Sequence, residues 1–353
     1  MQGKRPIGDY ALRIFALLLI VLFIVTPLST TITNSIQDNN NNGLLIITTF
    51  PNLVKDIKLI TCSHDRVVSL VPQGVDPHTY SLRPEDISLL SKADLIISTG
   101  HTSFEINIRQ LYQKGALKGT LIEVPKIPGI TLFNNPVTQK TNYHMPIYDP
   151  FNYMKFLSYV EKKLEELNPS CRREYREKLY TVFQKEALLL TNTSITNITA
   201  LADLPFTQYA VEWLGIHVKY LIVKEQGVQA SPQDLIIIEK NLQEKQIGAC
   251  IITSPVVNSA SKKLLDLCNK YNIPILFVPS PVVNTTFVDK EIHIVSQLHG
   301  LIGKSTNQTN YNKENTTSEY MYLNKFSYID LVLLVLAITL FISIIYIIRG
   351  RKV

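Results

Sequence analysis

The chain alternates short β-branched runs with stretches of helical periodicity, and this alternation constrains the fold more than any other feature. In the first half, strands are predicted at 44–50, 66–71, 93–99 and 120–124. A second series follows, with strands predicted at 198–202, 218–223, 248–253 and 273–278 and helices at 232–244 and 258–271. Strands that alternate with helices indicate βαβ units and parallel sheets. The sequence therefore predicts an α/β fold with two lobes.

The segment between the two series, 151–190, carries apolar residues at helical spacing. Its pattern is interrupted at "LNPS" (167–170), where a proline ends or kinks a helix. We expect one long, rigid backbone helix here, joining an N-terminal lobe over 44–150 to a C-terminal lobe over 191–300. Such a linker holds two lobes nearly fixed, unlike a flexible Gly/Ser linker.

Both ends of the chain differ from this body. At the start, 1–30 is predicted as a signal peptide or signal anchor, followed by a polar spacer over 31–43. The other end is predicted to contain a glycosylated stalk (301–327), a transmembrane helix (328–348) and a basic cytoplasmic tail (349–353). Glycosylation triplets occur at Asn192, Asn197, Asn284, Asn307 and Asn315. We therefore expect a cell-membrane protein with a single C-terminal span and an extracellular ligand-binding domain.

Cysteine usage and charge restrict the function classes. Four cysteines in an exported chain allow zero, one or two disulfides, and the pairing of Cys62, Cys171, Cys250 and Cys268 cannot be deduced from spacing. No pair is close enough in sequence to suggest a cysteine metal site. The net charge of +6 is shared between the tails and scattered lysines. It supports no nucleic-acid partner.

Two histidines lie where two open α/β lobes present ligands, near the carboxyl ends of strands. His78 follows the second predicted strand, and His144 comes just before the linking segment. Imidazole suits zinc and other late divalent ions, so a shared metal site is plausible, although turn histidines commonly bind nothing. The remaining histidines are expected to be solvated, with His101, beside Gly100 at a strand end, as the best exception: His64, His101, His217, His293 and His299.

Three motifs carry a resemblance to a known family: "TTFPNLVKDI" (48–57), "SLVPQGVDPHTYSLRPEDISLLSKADLIISTG" (69–100) and a histidine before the Asp149–Pro150 pair. Over about 44–298 the chain resembles the cluster A-I substrate-binding proteins of metal ABC importers, of the ZnuA/TroA type. This resemblance implies two α/β lobes bridged by one long helix. It implies that His78 and His144 are metal ligands and that Glu105 is structural, although the "HMPIYDP" spacing is one residue longer than the family pattern.

The second lobe departs from that pattern. The family's third ligand position falls here on Leu204 or Pro205, beside Asp203, and its fourth falls on Ser280. Two of the four implied ligands are therefore present as histidines. We expect Asp203, a water or another second-lobe group to complete the site, with affinity falling for each lost ligand.

These observations predict a substrate-binding protein rather than an enzyme. It captures a divalent metal ion, with zinc favoured over manganese, between the lobes and delivers it to an ABC transporter permease in the same membrane. One alternative is a family member that lost its metal ligands and acts as an adhesin or as a receptor for another solute. The other is a membrane-anchored zinc hydrolase, although the sequence contains no His-Glu-x-x-His, Gly-x-Ser-x-Gly or P-loop motif.

Overall fold

The computed structural model describes residues 43–225 and 227–298. The segments predicted for the two ends of the chain lie outside these residues, apart from the last residue of the polar spacer: 1–30, 31–42, 301–327, 328–348 and 349–353. Asn307, Asn315 and His299 lie outside them too, whereas Asn192, Asn197 and Asn284 are described and exposed.

The predicted localisation, a membrane anchor with a single C-terminal span, needs correction. Among the described residues, no helix is long and apolar enough to cross a membrane. A span needs about 20 mostly apolar residues, whereas the longest described helix, Arg172–Thr191, begins with the charged run "RREYREK". The segment 328–348, on which that prediction rested, lies outside the described residues.

The first lobe is built on a four-stranded parallel sheet with strand order β2-β1-β3-β4. Its strands are β1 (Leu45–Thr48), β2 (Arg66–Ser69), β3 (Leu95–Ser98) and β4 (Thr120–Glu123). The helices of this lobe are α1 (Leu53–Ile60), α2 (Pro84–Leu90) and α3 (Ser103–Gln113). Every residue of β3 is buried, as expected for a parallel strand covered on both faces. The order reverses between β1 and β3, and such a switch point opens a crevice at the carboxyl ends of the strands.

The second lobe repeats this plan with the parallel order β10-β9-β5-β6. Its main strands are β5 (Ile198–Ala202), β6 (Ile216–Leu221), β9 (Ala249–Ser254) and β10 (Ile275–Pro279). A short antiparallel hairpin of β7 (Val223–Glu225) and β8 (Val228–Gln229) follows β6. The helices of this lobe are α6 (Thr207–Val211), α7 (Pro232–Gln243), α8 (Ser259–Lys270) and α9 (Phe287–Ser296). The predicted α/β class with two lobes and parallel sheets is confirmed.

The single long backbone helix predicted over 151–190 is not confirmed. The structure has two helices there, α4 (Pro150–Leu167) and α5 (Arg172–Thr191), separated by Asn168 and a 3-10 turn at Pro169–Cys171. Proline has no backbone N–H and disfavours a helical conformation in the residue before it, so the chain leaves the first helix at this point. An ion pair of Arg172 with Glu165 joins the two helices at a distance of 3.3 Å.

Two disulfides and a shared core hold the described residues together. Cys62 pairs with Cys171, which fastens the end of α1 to the turn before α5, and Cys250 pairs with Cys268 inside the second lobe. One buried cluster contains residues of both sheets, and the Tyr148 hydroxyl donates to the Pro279 carbonyl across the lobes at 2.6 Å. The lobes therefore meet through packed side chains.

Candidate metal centre

His78 lies in the loop between β2 and α2, on a turn shaped by Asp76. The Asp76 carboxylate accepts a hydrogen bond from the His78 backbone N–H at 3.0 Å, and the backbone carbonyl of Asp76 accepts one from the Thr79 hydroxyl at 3.1 Å. Aspartate favours such a turn because its short side chain bonds the backbone two residues on. Pro77 between them is buried. This turn places the imidazole at the carboxyl edge of the first sheet.

His101 follows the end of β3 and is held from behind by Glu105. Gly100 supplies the left-handed backbone, with φ +76°, that turns the chain between β3 and α3. The buried Glu105 carboxylate accepts from the backbone N–H groups of Thr99 at 2.6 Å, His101 at 3.0 Å and Thr102 at 3.1 Å. The Thr99 hydroxyl also lies 3.0 Å from His101 Nδ1. Glu105 therefore fixes the loop that carries the imidazole, in keeping with a structural role.

His144 lies in the loop before α4, and this loop is fastened to the second lobe. The Asn142 side chain accepts from the His144 backbone N–H at 3.0 Å, and its amide donates to the Pro205 carbonyl at 2.9 Å. Met145 has a left-handed backbone with φ +49°, which turns the chain sharply after the histidine. Nε2 of His144 lies 3.4 Å from the Glu225 carboxylate of the hairpin.

The structure brings these three histidines together. One ring nitrogen of each lies within 4.8 Å of the corresponding nitrogen of the other two. The ring centroids are 5.4 Å apart for His78 and His101, 5.2 Å for His101 and His144, and 6.1 Å for His78 and His144. Ligands of a tetrahedral zinc ion at about 2.05 Å lie about 3.3 Å from each other. Small side-chain rotations therefore bring the imidazoles into coordination distance.

Burial keeps two of the rings uncharged at neutral pH. It lowers the pKa of His101 to about 4, against the opposing effect of Glu105, and the other two histidines lower it further. Burial also lowers the pKa of His144, although Glu225 opposes the shift. A metal binds the unprotonated nitrogen. The site therefore offers lone pairs to a cation without first having to release protons from these two rings.

The cavity in front of the histidines measures about 550 Å³. Its second-lobe wall includes Leu204, Pro205 and Ser280, the positions at which the resemblance placed further ligands. Asp203 has no exposed surface and lies behind this wall. Its carboxylate accepts from the Thr253 backbone N–H at 2.8 Å and the Thr253 hydroxyl at 2.9 Å, and it also bonds the Ser261 hydroxyl. The structure therefore does not bring Asp203 to the imidazoles.

Sequence reasoning placed His78 and His144 at one cleft, and the structure brings them together. His101 was grouped with the histidines expected to be solvated, as the best exception among them. The structure buries it more deeply than His144, with 10% of its side chain exposed against 19%. Its place beside Gly100, three residues after the end of β3, was the signal that singled it out. Glu225 gave no sequence signal, because the pattern indicated strand only as far as Val223.

Comparison with known proteins shows which family the chain matches. The family profile described as zinc-uptake complex component A, periplasmic, matches residues 46–284, which is more than half of the chain. The zinc-binding protein TroA of Treponema pallidum is 28% identical over 148 residues. That match covers 40% of this chain and 45% of the relative, so it spans less than half the length of either protein.

Several solved structures share the fold. The substrate-binding protein FpvC of Pseudomonas aeruginosa with Mn²⁺ superposes with a TM-score of 0.61 at 15% identity, covering 74% of this chain and 99% of that one. ZnuA gives a TM-score of 0.58 at 19% identity over 74% and 98% of the two chains. The laminin-binding protein Lmb of Streptococcus agalactiae, described as having adhesin and metal-transporting activity, gives 0.60 at 17% identity over 74% and 100%. At these identities the likeness concerns the fold alone.

Proposed function

The chain belongs to the zinc-uptake component A family, and on that premise we propose that it captures a divalent metal ion on His78, His101 and His144. The family is one of metal-binding solute-binding proteins, which confirms the prediction that the chain is not an enzyme. The observation that carries the proposal is the convergence of three imidazole nitrogens within 4.8 Å at the cleft. These histidines come from three separate loops, so only the fold assembles them.

The chemistry of the donor set favours zinc. Imidazole nitrogen suits zinc, copper and nickel, whereas manganese and magnesium favour carboxylate and carbonyl oxygen. A site of three nitrogens therefore ranks zinc above manganese, and we propose zinc as the cargo. The FpvC structure named with Mn²⁺ shares the fold at 15% identity.

Delivery to a permease completes the proposal. A solute-binding protein acts by carrying its cargo, and the family description names a component of an uptake complex. We propose an ABC transporter permease as the partner that receives the ion. An open cavity in front of the histidines gives the ion a path in and out.

Metal stoichiometry of the purified full chain tests the proposal. The parent should bind about one Zn²⁺, and His78→Ala, His101→Ala and His144→Ala should each weaken binding by at least about tenfold, because each removes one ligand. His217→Ala serves as a control, since His217 is exposed and pairs with Glu212 at 2.9 Å. A parent protein that binds no divalent metal, or three variants that bind as the parent does, would contradict the proposal.

A further inference from the structure

The three imidazoles all come from the first lobe or from the loop that leads out of it. His78 and His101 follow strands of the first sheet, and His144 precedes α4. An ion held by these nitrogens alone would bind without involving the second lobe. The wall that faces them is largely apolar, with Leu204, Pro205, Phe206, Val223 and Val282 among its residues.

Glu225 is the second-lobe carboxylate that reaches this cluster among the described residues. Its Oε2 atom lies 3.4 Å from Nε2 of His144. That separation is longer than a good N–H···O hydrogen bond, about 2.7–3.2 Å. It is close to the spacing of about 3.3 Å between a nitrogen and an oxygen ligand that share one tetrahedral zinc ion.

The hairpin that carries Glu225 rests on the first lobe. The amide of the buried Asn135 donates to the Lys224 carbonyl at 2.6 Å and lies 3.4 Å from Glu225 Oε1. The Thr138 hydroxyl donates to the same oxygen at 3.3 Å. These contacts occupy Oε1 and leave Oε2 directed at His144.

The charge balance of the site also points to Glu225. Three neutral imidazoles contribute no charge, and a divalent cation in a partly buried cleft is costly without counter-charge. Glu105 behind His101 supplies one negative charge, its Oε2 lying 3.9 Å from the ring nitrogen. Glu225, whose side chain is 31% exposed, supplies the second. Together they balance the two positive charges of the ion.

We propose that Glu225 is the second-lobe ligand of the metal site and that the bound ion thereby fastens the hairpin of β7 and β8 to the three histidines. The Glu225 carboxylate is not part of the group formed by His78, His101 and His144, whose ligand nitrogens all lie within 4.8 Å of one another. Coordination therefore draws the hairpin toward His78 and His101. Occupancy of the site is in this way coupled to the position of the second lobe. This inference rests on the proposed function.

Zinc binding and hydrogen exchange of the full chain, read together, test it. In the parent, Zn²⁺ should protect the hairpin amides of 223–225 and 227–229. In Glu225→Gln, which keeps the size of the side chain and removes its charge, zinc affinity should fall about 10-fold or more, and hairpin protection should disappear. The matched control is Glu212→Gln, which removes a carboxylate paired with a histidine, His217, elsewhere in the same lobe. It should behave like the parent.

The outcomes separate the two proposals. A Glu225→Gln protein that binds zinc like the parent overturns the inference and leaves the proposed function standing. Weaker binding with hairpin protection retained also overturns it, because Glu225 then acts on the site without being a ligand. A parent that binds no zinc overturns both. Circular dichroism of Glu225→Gln and Glu212→Gln verifies that each variant is folded.

Discussion

The buried Asp56 should make the stability of the chain depend on pH. This residue of α1 has no exposed surface and lies at the junction with α4 and α9. Its Oδ1 atom accepts from the Tyr153 hydroxyl at 2.6 Å and from the Phe287 backbone N–H at 2.8 Å, whereas Oδ2 has no hydrogen-bond partner among the described residues. Burial raises the pKa of Asp56 from 3.8 to about 7, against the opposing effects of these bonds and of Lys290.

The sign and size of this pH dependence of stability follow from proton linkage. A carboxyl whose pKa is raised by folding binds its proton more tightly in the folded state, so its contribution to stability is fully present below pH 3.8 and is lost as pH rises through about 7. A rise from 3.8 to about 7 corresponds to about 4 kcal/mol at 1.36 kcal/mol per pKa unit. The folded state of the parent should therefore be penalised by an amount of this order at pH 8.

The variant Asp56→Asn isolates this contribution. Asparagine keeps the oxygen that accepts from Tyr153 and Phe287 but does not ionise, and any cost of its amide group is the same at every pH. Urea unfolding of the parent and the variant should therefore give a difference in unfolding free energy that shifts by about 4 kcal/mol in favour of Asn between about pH 4 and pH 8. Asp266→Asn, at an exposed position of α8, is the control. A difference that stays constant over this range would refute the reasoning.

Three further predictions concern the metal site and the stability of the fold around it. Glu105→Gln should lower the unfolding free energy by about 2–4 kcal/mol in urea titrations, because buried N–H and hydroxyl donors lose a charged acceptor; a loss below about 0.5 kcal/mol would contradict this role. Zn²⁺ at about 100 times its Kd should stabilise the parent by about 2.7 kcal/mol in thermal unfolding, and His78→Ala at the same Zn²⁺ concentration should lose about half of this effect or more. Replacing Cys62 and Cys171 by serine should cost up to about 5 kcal/mol, because the bridge joins residues with a sequence separation of 109; unchanged urea unfolding would show that the bridge contributes nothing.

The sheets could be predicted because their signal is local. Each buried parallel strand is a short run of β-branched and aliphatic residues bounded by turn residues, and this composition is visible without tertiary information. The strand predicted at 273–278 is observed as Ile275–Pro279, and the one predicted at 198–202 matches Ile198–Ala202. Strand order follows from the same pattern only in part, since the switch between β1 and β3 depends on which edge each new strand joins.

The linking segment shows the limit of periodicity. Apolar spacing is helical on both sides of Pro169, so the pattern predicts helix throughout. Periodicity carries no information on whether the second helix continues the axis of the first. The Cys62–Cys171 bridge and the contact of Lys178 with the Thr61 carbonyl tie the start of α5 to the end of α1. Both contacts join distant parts of the chain, so the local apolar pattern contains no sign of them.

The second-lobe part of the site could not be read from the sequence for the same reason. Asp203 directly follows β5, where a ligand is expected, yet donors from Thr253 and Ser261 occupy its carboxylate. Glu225 lies on a three-residue strand, too short for alternation to fix which side chains face the cleft. Its direction is set by the bond from Asn135 to the Lys224 carbonyl, which joins residues 89 positions apart. The packing of the two lobes therefore brings this carboxylate to His144, and local sequence patterns contain no trace of it.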